Sequence, residues 1–144
     1  MASKMYGNLV LRAFNGEVDY DTHAIKVALV SSGYAPNQDA HQTWADVKSN
    51  EVTGTGYVAG GATLGGKTIT YDAASNTTVL DADDVTWANS TITARYAVIY
   101  DDNGAGDTDK VLLGYVDFGV DQASTNGNFT ITWDASGIFR FTVA

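Results

Sequence analysis

The sequence lacks cysteine, has a single proline, and carries only eight basic residues against seventeen acidic ones. The absence of cysteine excludes disulfides and thiolate metal sites. The formal net charge of −9 argues against nucleic acid and against an anionic membrane surface as partners, because both attract basic proteins. No apolar run approaches the roughly 20 residues that a membrane helix needs. Residues 1–18 also lack the apolar core of a signal peptide, so we expect a protein that is made and folded in a cytoplasm.

Residue types that perform acid–base or metal chemistry are scarce. The two histidines, His23 and His41, form no H-x-H or H-x-x-x-H pattern, and the two glutamates, Glu17 and Glu51, are isolated. The glycines of GTGYVAGG (54–61) lack the G-x-G-x-x-G spacing of a dinucleotide site. There is no G-x-S-x-G elbow for a nucleophilic serine. We therefore expect a protein that is not an enzyme and has no catalytic residues, no cofactor and no metal.

The densest cluster of acidic residues is DDNGAGDTD, residues 101–109, called the acidic loop below. An EF-hand loop would need an oxygen ligand where Ala105 stands and a glutamate at its end, so that motif fails. A simpler calcium site remains open, with ligands at Asp101, Asn103, Asp107 and Asp109. The pattern favours a solvent-exposed hairpin turn, because Asp, Asn and Gly suit turns for backbone reasons. The carboxylates of residues 81–84 are interpreted in the same way.

What the sequence does contain is a dense pattern of short strands. Met5, Leu9 and Ala13 recur at helical period before the stop signal Asn15-Gly16, which predicts an amphipathic helix over residues 3–15. Beyond it, alternating apolar residues and fifteen glycines predict about eight strands with tight turns. The sequence therefore predicts a mainly β, single-domain protein over residues 1–144. Its expected form is an antiparallel β-sandwich or jelly-roll-like barrel, with an N-terminal helical segment over residues 1–15.

The strongest strand patterns lie in the first and last thirds of the chain. HAIKVALVSS (23–32) predicts a strand with one buried face. TITARYAVIY (91–100) predicts the longest strand, paired with KVLLGYVDFG (110–119) across the acidic loop. That strand is expected to present one face made of Ile92, Ala94, Tyr96, Val98 and Tyr100. Asn126-Gly127 predicts a turn, and the chain after it predicts a terminal hairpin about residues 134–137.

The middle of the chain carries weaker patterns. AHQTWADVKSNEV (40–52) predicts a single helical turn around Trp44 and Val47. GTGYVAGGATLGG (54–66) predicts a bent, loosely paired strand, because six of its residues are glycine. KTITYD (67–72) predicts a firmer strand, and TTVLDADDVTW (77–87) predicts two short strands about an acidic turn.

The aromatic residues admit two interpretations. Exposed Trp44, Trp87 or Trp133 could stack on sugar rings, as in small acidic carbohydrate-binding modules. Against this, Trp87 and Trp133 alternate in phase with Val85 and Ile131, and in-phase aromatics are usually core residues. The pattern favours the core.

The order of several segments resembles a family of small virion proteins encoded among the structural genes of tailed bacteriophages and prophages. The resemblance covers nearly the whole chain and is carried by NGEVDYDTHAIKVALVSS, EVTGTGYVAGG, GKTITYDA, DADDVTWANSTITARYAVIY, LLGYVDFG and FTITWDASGIFRF. None of these motifs is catalytic, so what the resemblance implies is membership and a structural role. A capsid decoration (cement) protein fits that setting best, and a tail-tube, head-completion or baseplate component is the alternative from the same genes.

This resemblance implies particular partners and a location. The expected partners are the major capsid protein and further copies of the chain, arranged as a trimer on the outside of the phage head, with no nucleic acid and no membrane. The residues expected at interfaces are the apolar helix positions, two aromatic anchors and two glycines of the flexible segment: Met5, Leu9, Phe14, Trp44, Tyr57, Gly60 and Gly61. A glycan-binding or receptor-binding module of the virion remains the alternative from another functional class.

Overall fold

The computed structural model describes residues 3–144 as two antiparallel β-sheets with one short helix and no closed barrel. This confirms the predicted mainly β class and fits the sandwich form rather than the barrel. The elements, in chain order, are β1 (Lys4–Met5), α1 (Leu9–Phe14), β2 (Ile25–Val30), two 3₁₀ turns (Trp44–Asp46 and Lys48–Asn50), β3 (Ala62–Thr63), β4 (Thr68–Asp72), β5 (Thr77–Asp81), β6 (Val85–Asp101), β7 (Leu112–Ile131) and β8 (Phe139–Thr142). Among residues 3–144, no helix is long and apolar enough to cross a membrane.

The larger sheet has five strands in the order β1-β7-β6-β2-β3, and the smaller has three in the order β4-β5-β8. The predicted pairing across the acidic loop is confirmed, with Val98 opposite Tyr115. Both strands of this hairpin are longer than predicted, because β6 and β7 run to 17 and 20 residues. Asn89 takes a φ of 51° inside β6, which lets the segments around Trp87 and Ile92 continue as one irregular strand.

A large bulge divides the β6–β7 hairpin. Ala94 pairs with Gln122 while Tyr96 pairs with Asp117, so β7 has four residues (118–121) where β6 has only Arg95. Such an insertion changes which side chains face which side of a sheet. The prediction of one continuous β6 face is therefore wrong: Ile92 and Ala94 lie in one core cluster, whereas Val98 and Tyr100 lie in the other, with Tyr96 packed against it.

Near the C-terminus, one predicted turn and one predicted hairpin are wrong, although the chain does turn at residues 134–137, where the Gly137 N–H donates to the Asp134 carbonyl at 2.9 Å. Asn126-Gly127 lies inside β7, where Asn126 takes a φ of 46° and Gly127 pairs with Ser90. The residues after β7 form no hairpin, because β8 pairs with β5 of the other sheet. Trp133 lies where the chain passes from the larger sheet to the smaller one, and its indole N–H donates to the Asp83 carbonyl at 2.9 Å.

The predicted N-terminal helix is shorter than expected. Lys4–Met5 instead forms β1, an edge strand on β7, and the helix spans only Leu9–Phe14. Gly7 separates the two, and glycine weakens a helix interior. The predicted segment 1–15 begins with residues 1 and 2, which lie outside the described residues.

The middle of the chain follows its predictions in part. The helical turn around Trp44 is present as the two 3₁₀ turns. The bent strand predicted over residues 54–66 reduces to Ala62–Thr63, and turns make up much of the rest. The firmer strand of KTITYD is confirmed as β4, which pairs with β5 as an antiparallel hairpin.

The larger sheet is covered on both faces around β2, whereas the far part of the β6–β7 hairpin leaves one face exposed over residues 86–93 and most of 117–128 exposed. Ile25, Val27 and Leu29 of β2 lie in the cluster shared with the smaller sheet, while Ala28 and Val30 lie in a second cluster built around Trp44 and neighbouring tyrosines. The prediction of one buried face for β2 is thus too modest, because the segment containing the 3₁₀ turns covers the other face. The smaller sheet and α1 lie on the first face, and their junction forms the site described next.

Candidate functional site

Helix α1 ends in a well-defined hydrogen-bonded cap. Gly16 has a φ of 80°, its N–H donates to the Ala13 carbonyl at 3.0 Å, and the Glu17 N–H donates to the Arg12 carbonyl at 3.0 Å. This pair of bonds is the Schellman arrangement, which favours glycine at the left-handed position. The Arg12 guanidinium also donates to the Glu17 carboxylate at 3.0 Å. The predicted helix stop is confirmed, and the cap fixes how the last turn of the helix is presented.

The outward side of α1 is apolar. Leu9 is buried in the core, but Val10, Leu11 and Phe14 are 47%, 60% and 89% exposed. The helix sequence LVLRAF has one charged residue, Arg12, and its guanidinium is held by Glu17 and Gln42. A short surface helix usually places polar residues on its solvent side, so this apolar exposure indicates a contact surface.

An apolar groove of about 410 Å³ lies between α1 and the smaller sheet. Its lining contains no charged side chain, although the chain has twenty-five formally charged residues by the count of eight basic and seventeen acidic. Phe14 lies at the exposed rim of the groove, and Leu9 lines it from the buried side. The lining residues are Leu9, Val10, Ala13, Phe14, Val18, Tyr20, Thr78, Leu80, Leu113 and Phe141.

The groove continues onto the inner face of the smaller sheet. Residues directly opposite one another on antiparallel strands share a face. One row across the sheet is Ile69, Leu80 and Phe139, and the next row is Tyr71, Thr78 and Phe141. Phe139 is buried in the core, whereas Ile69 and Tyr71 at the edge are 49% and 59% exposed. We call α1, the groove and these two edge residues together the apolar surface.

Three of the residues predicted at interfaces come from the N-terminal segment. Phe14 lies on the apolar surface and is the most exposed large hydrophobic residue described. Leu9 lines the groove but is only 5% exposed. Met5 is half-buried in β1 and packs against the main core.

Trp44 is an internal residue in the single chain. It is 2% exposed, and its ring stacks on Tyr100 with centroids 4.5 Å apart. Trp87 and Trp133 are each 7% exposed and belong to the main core, as their phase predicted. None of the three indoles presents a face to solvent on which a sugar could stack.

Tyr57, Gly60 and Gly61 pack against their own chain. The Tyr57 hydroxyl donates to the Glu51 carboxylate at 2.7 Å and accepts from the Leu29 N–H at 3.0 Å, and burial raises the pKa of Tyr57 above its usual value. The Gly60 N–H also donates to Glu51, at 2.6 Å. At Gly61, with a φ of 83°, an added Cβ would overlap the Val27 carbonyl oxygen. Gly61 thus serves close packing on β2.

The acidic loop is tied to the protein by its own carboxylates. Asp101 is only 2% exposed, and its carboxylate lies 2.7 Å from His23 Nδ1 and accepts the Asp19 N–H at 3.2 Å. Its other oxygen accepts the Asn103 N–H at 2.9 Å. The expectation of a solvent-exposed turn is therefore wrong for Asp101, which joins the acidic loop to the turn at residues 19–23.

Two further aspartates of the loop form ion pairs with lysines. Asp102 lies 3.2 Å from Lys26 and 2.8 Å from Lys110, and Asp107 lies 2.7 Å from Lys48. For Asp102, burial opposes ionisation, but the two ammonium groups outweigh it and lower the pKa. The hydrogen bond from Lys48 lowers the pKa of Asp107. The loop is thus held to β2, the 3₁₀ turns and the start of β7 by charge.

The other polar cluster surrounds His23. Together with Arg12, Glu17 and Asp109 it borders a polar pocket of about 300 Å³. Asp101 engages Nδ1 of His23, and Arg12 is engaged by Glu17 and Gln42, so the pocket's charged groups largely satisfy one another. Within residues 3–144, no three histidine or acidic side chains converge in an arrangement that could hold a metal ion.

The apolar surface was not predicted as a unit, because its parts are distant in sequence. Helix α1 contributes from residues 9–14, while the two sheet rows come from β4, β5 and β8. One signal was readable: LVLRAF follows helical period yet has no polar side opposite its apolar one. The part of the apolar surface on the smaller sheet was not predicted, because the predicted C-terminal hairpin assigned Phe141 to the wrong sheet.

Comparison of the chain with protein-family models, with curated proteins and with solved structures finds no match.

Proposed function

We propose that this chain is a structural virion protein of a tailed bacteriophage, a decoration protein that binds the outside of the head and strengthens contacts between major capsid subunits. The observation that carries the proposal is the apolar surface, in which Phe14 is 89% exposed beside an uncharged groove. Contiguous exposed apolar surface on an otherwise charged protein marks a protein-binding site. The sequence resemblance supplies the virion setting.

The energetics of such a role fit the size of this surface. Fully burying one Phe or Leu side chain contributes about 1.5–3 kcal/mol, so Phe14 and Leu11 alone would give a weak contact. A decoration protein touches several subunits at once, and simultaneous contacts convert weak individual patches into strong overall binding. The role is mechanical: the bound protein raises the free energy needed to separate neighbouring capsomers.

The charge distribution supports an exposed position on the particle. The net charge of −9 favours solubility of free subunits at high concentration and discourages adhesion to nucleic acid. The docking groove is free of charge, so contact with the capsid would not require desolvation of a charged group.

The other virion roles are distinguished by copy number. A decoration protein or tail-tube protein would be present in hundreds of copies per particle, whereas a connector or baseplate component would be present in few. Quantitative mass spectrometry of purified particles separates these groups, and a low copy number would argue against decoration.

A groove along β7 is a candidate location for a glycan-binding role. This groove of about 420 Å³ combines polar and aromatic side chains, lined by Val116, Phe118, Gln122, Ala123, Asn128, Phe129, Thr130, Ile131, Thr132 and Trp133. Trp133 is only 7% exposed, so its indole offers little ring surface on which a sugar could stack. Specific binding on a glycan array would favour this role over the one proposed.

The proposal is tested by reconstitution. Particles from a phage deleted for this gene are incubated with wild-type protein, with Phe14→Ser, or with Val58→Ser as the control. Val58 is 74% exposed and lies outside the apolar surface, so both substitutions should leave stability within about 0.5 kcal/mol of wild type. We expect Phe14→Ser to weaken capsid binding about tenfold or more and Val58→Ser to bind as wild type. Equal binding by all three proteins would contradict the proposed docking surface.

A further inference from the structure

Strand β4 is an unprotected sheet edge. It pairs with β5 on one side, and no strand within residues 3–144 pairs with its other side. All five residues of β4 are exposed. Natural proteins usually protect an exposed edge with charged residues, proline, a bulge or a covering segment, but Thr68–Asp72 has no proline, no irregularity in its pairing and one charged residue, Asp72, at its end. The adjacent Lys67 directs its ammonium group back to the His23 carbonyl, 2.5 Å away.

We propose that β4 is a self-association site, at which β4 of a second copy adds antiparallel about a two-fold axis through Thr70. The two three-stranded sheets then join into one six-stranded sheet. Main-chain hydrogen bonds at the free edge supply the attraction, as in strand addition generally. The proposal goes beyond the docking function and does not depend on which protein occupies the apolar surface.

The sequence of β4 is self-complementary in this register. Centring the pair on Thr70 places Ile69 opposite Tyr71 of the second copy, and the reverse, so that an aliphatic residue meets an aromatic one twice. Such cross-strand pairs stabilise sheets by about 0.2–1 kcal/mol each. Asp72 then faces Thr68 of the second copy, so no two like charges are opposed. Centring on Thr70 is also the register that pairs all five residues of each strand.

The symmetry extends the apolar surface. An axis perpendicular to the sheet keeps the inner faces of both copies on the same side, where Ile69 and Tyr71 adjoin the groove of each. In the joined sheet, Ile69 and Tyr71 of the second copy lie beside those of the first on the same inner face, and Phe14 of both copies stays free. The dimer therefore presents two docking surfaces side by side.

The hairpin that carries β4 is held in shape before association. The Asp72 carboxylate accepts from Ser75 Oγ at 2.6 Å and from the Ala74 N–H at 3.0 Å, and the Tyr71 hydroxyl donates to the Asn76 amide oxygen at 3.1 Å. A preformed strand loses less conformational entropy on binding than a flexible one. The loss of conformational entropy that opposes association is therefore smaller.

Area and charge both predict a weak, salt-dependent dimer. Five residues a side make a smaller contact than the roughly 800 Å² per partner of a standard stable interface. Two copies that each carry −9 also repel each other, and salt screens that repulsion. Association should therefore strengthen as ionic strength rises, which is opposite to an interface built on ion pairs between copies.

Substitution at Thr70 tests the two-fold axis directly. Thr70 is exposed and pairs with Val79, which places it on the outer face of the sheet, so Thr70→Lys and Thr70→Glu should fold normally. In the dimer, each variant brings two like charges together at the axis, and we expect the dissociation constant to rise about tenfold or more. An equimolar mixture of the two variants should recover association as a heterodimer. Thr125→Lys, at an exposed threonine of β7, is the matched control and should associate as wild type.

The measurement is sedimentation of the full-length protein over a rising concentration series at low and high salt, with circular dichroism to check folding. Dimers of the wild type and the control, loss in each single variant, and recovery in the mixture support the proposal. A wild type that stays monomeric at the highest concentration overturns it. An oligomer, trimeric or otherwise, that is unchanged by Thr70→Lys also overturns it. Neither result bears on capsid binding through Phe14.

Discussion

At the scale of single residues, glycines are needed where backbones approach closely. Gly61 is the clearest case, because its φ of 83° and its contact with the Val27 carbonyl both exclude a side chain. Gly16 has nearly the same φ of 80°, but an added Cβ there meets nothing within 4 Å. A side chain at Gly16 would therefore meet conformational strain alone, whereas a side chain at Gly61 would meet both strain and steric overlap.

Gly61→Ala should destabilise the protein far more than Gly16→Ala. The left-handed conformation alone disfavours alanine by about 1–2 kcal/mol, which is the loss expected at Gly16. Overlap with a carbonyl of the buried strand β2 adds to this at Gly61, for a total of about 3 kcal/mol or more. Urea unfolding of both variants measures the difference, and equal losses would show that the Gly61 backbone has room to shift.

At the scale of elements, the alternation of apolar and polar residues predicted which segments form strands. It did not predict reliably which strands pair with each other. β2, β4, β5 and the β6–β7 hairpin were readable because their apolar residues alternate and a turn signal follows. The partner of β8 was not readable, since local sequence favoured a hairpin while the Trp133 hydrogen bond and burial of Phe139 carry the strand to the other sheet. The bulge at 118–121 was missed because only tertiary pairing reveals an insertion of this size. The apolar surface depends on β8 and was missed with it.

The acidic loop is an element whose contribution to stability should depend on pH. The pKa of Asp102 is lowered in the folded protein, so its contribution is fully present above the unfolded pKa of about 3.9 and disappears as pH falls through the folded value. Asp102→Asn should lower stability by about 1–3 kcal/mol at neutral pH, because Lys26 and Lys110 lose their carboxylate.

The same variant should show a smaller loss of stability on acidification than wild type, because the group that titrates has been removed. Urea unfolding from pH 7 to pH 2 provides the comparison, with Asp21→Asn at an exposed aspartate as the control. Parallel pH profiles for wild type and Asp102→Asn would show that the lysine pairs around Asp102 do not stabilise the fold.

At the scale of the whole molecule, the larger sheet is buried on both faces around β2, and the contact surfaces lie beside α1 and on the smaller sheet. The groove beside α1 and the free edge of β4 adjoin each other but offer different chemistry, apolar side chains in one and main-chain groups in the other. An acidic, β-rich subunit with two such surfaces is suited to covering a larger assembly in many copies. That suitability, joined to the sequence resemblance, is the basis on which we propose the decoration role.

The proposal that this chain decorates the phage head is tested most directly by electron cryomicroscopy. Mature particles of the phage whose genome encodes the chain are compared with particles lacking the gene. The account predicts that deletion removes density from the outside of the head, at sites where several capsid subunits meet, and that the two-sheet fold fits this density with Phe14 facing the capsid. Density that is lost instead from the tail or baseplate, with the head surface unchanged, would contradict the claim.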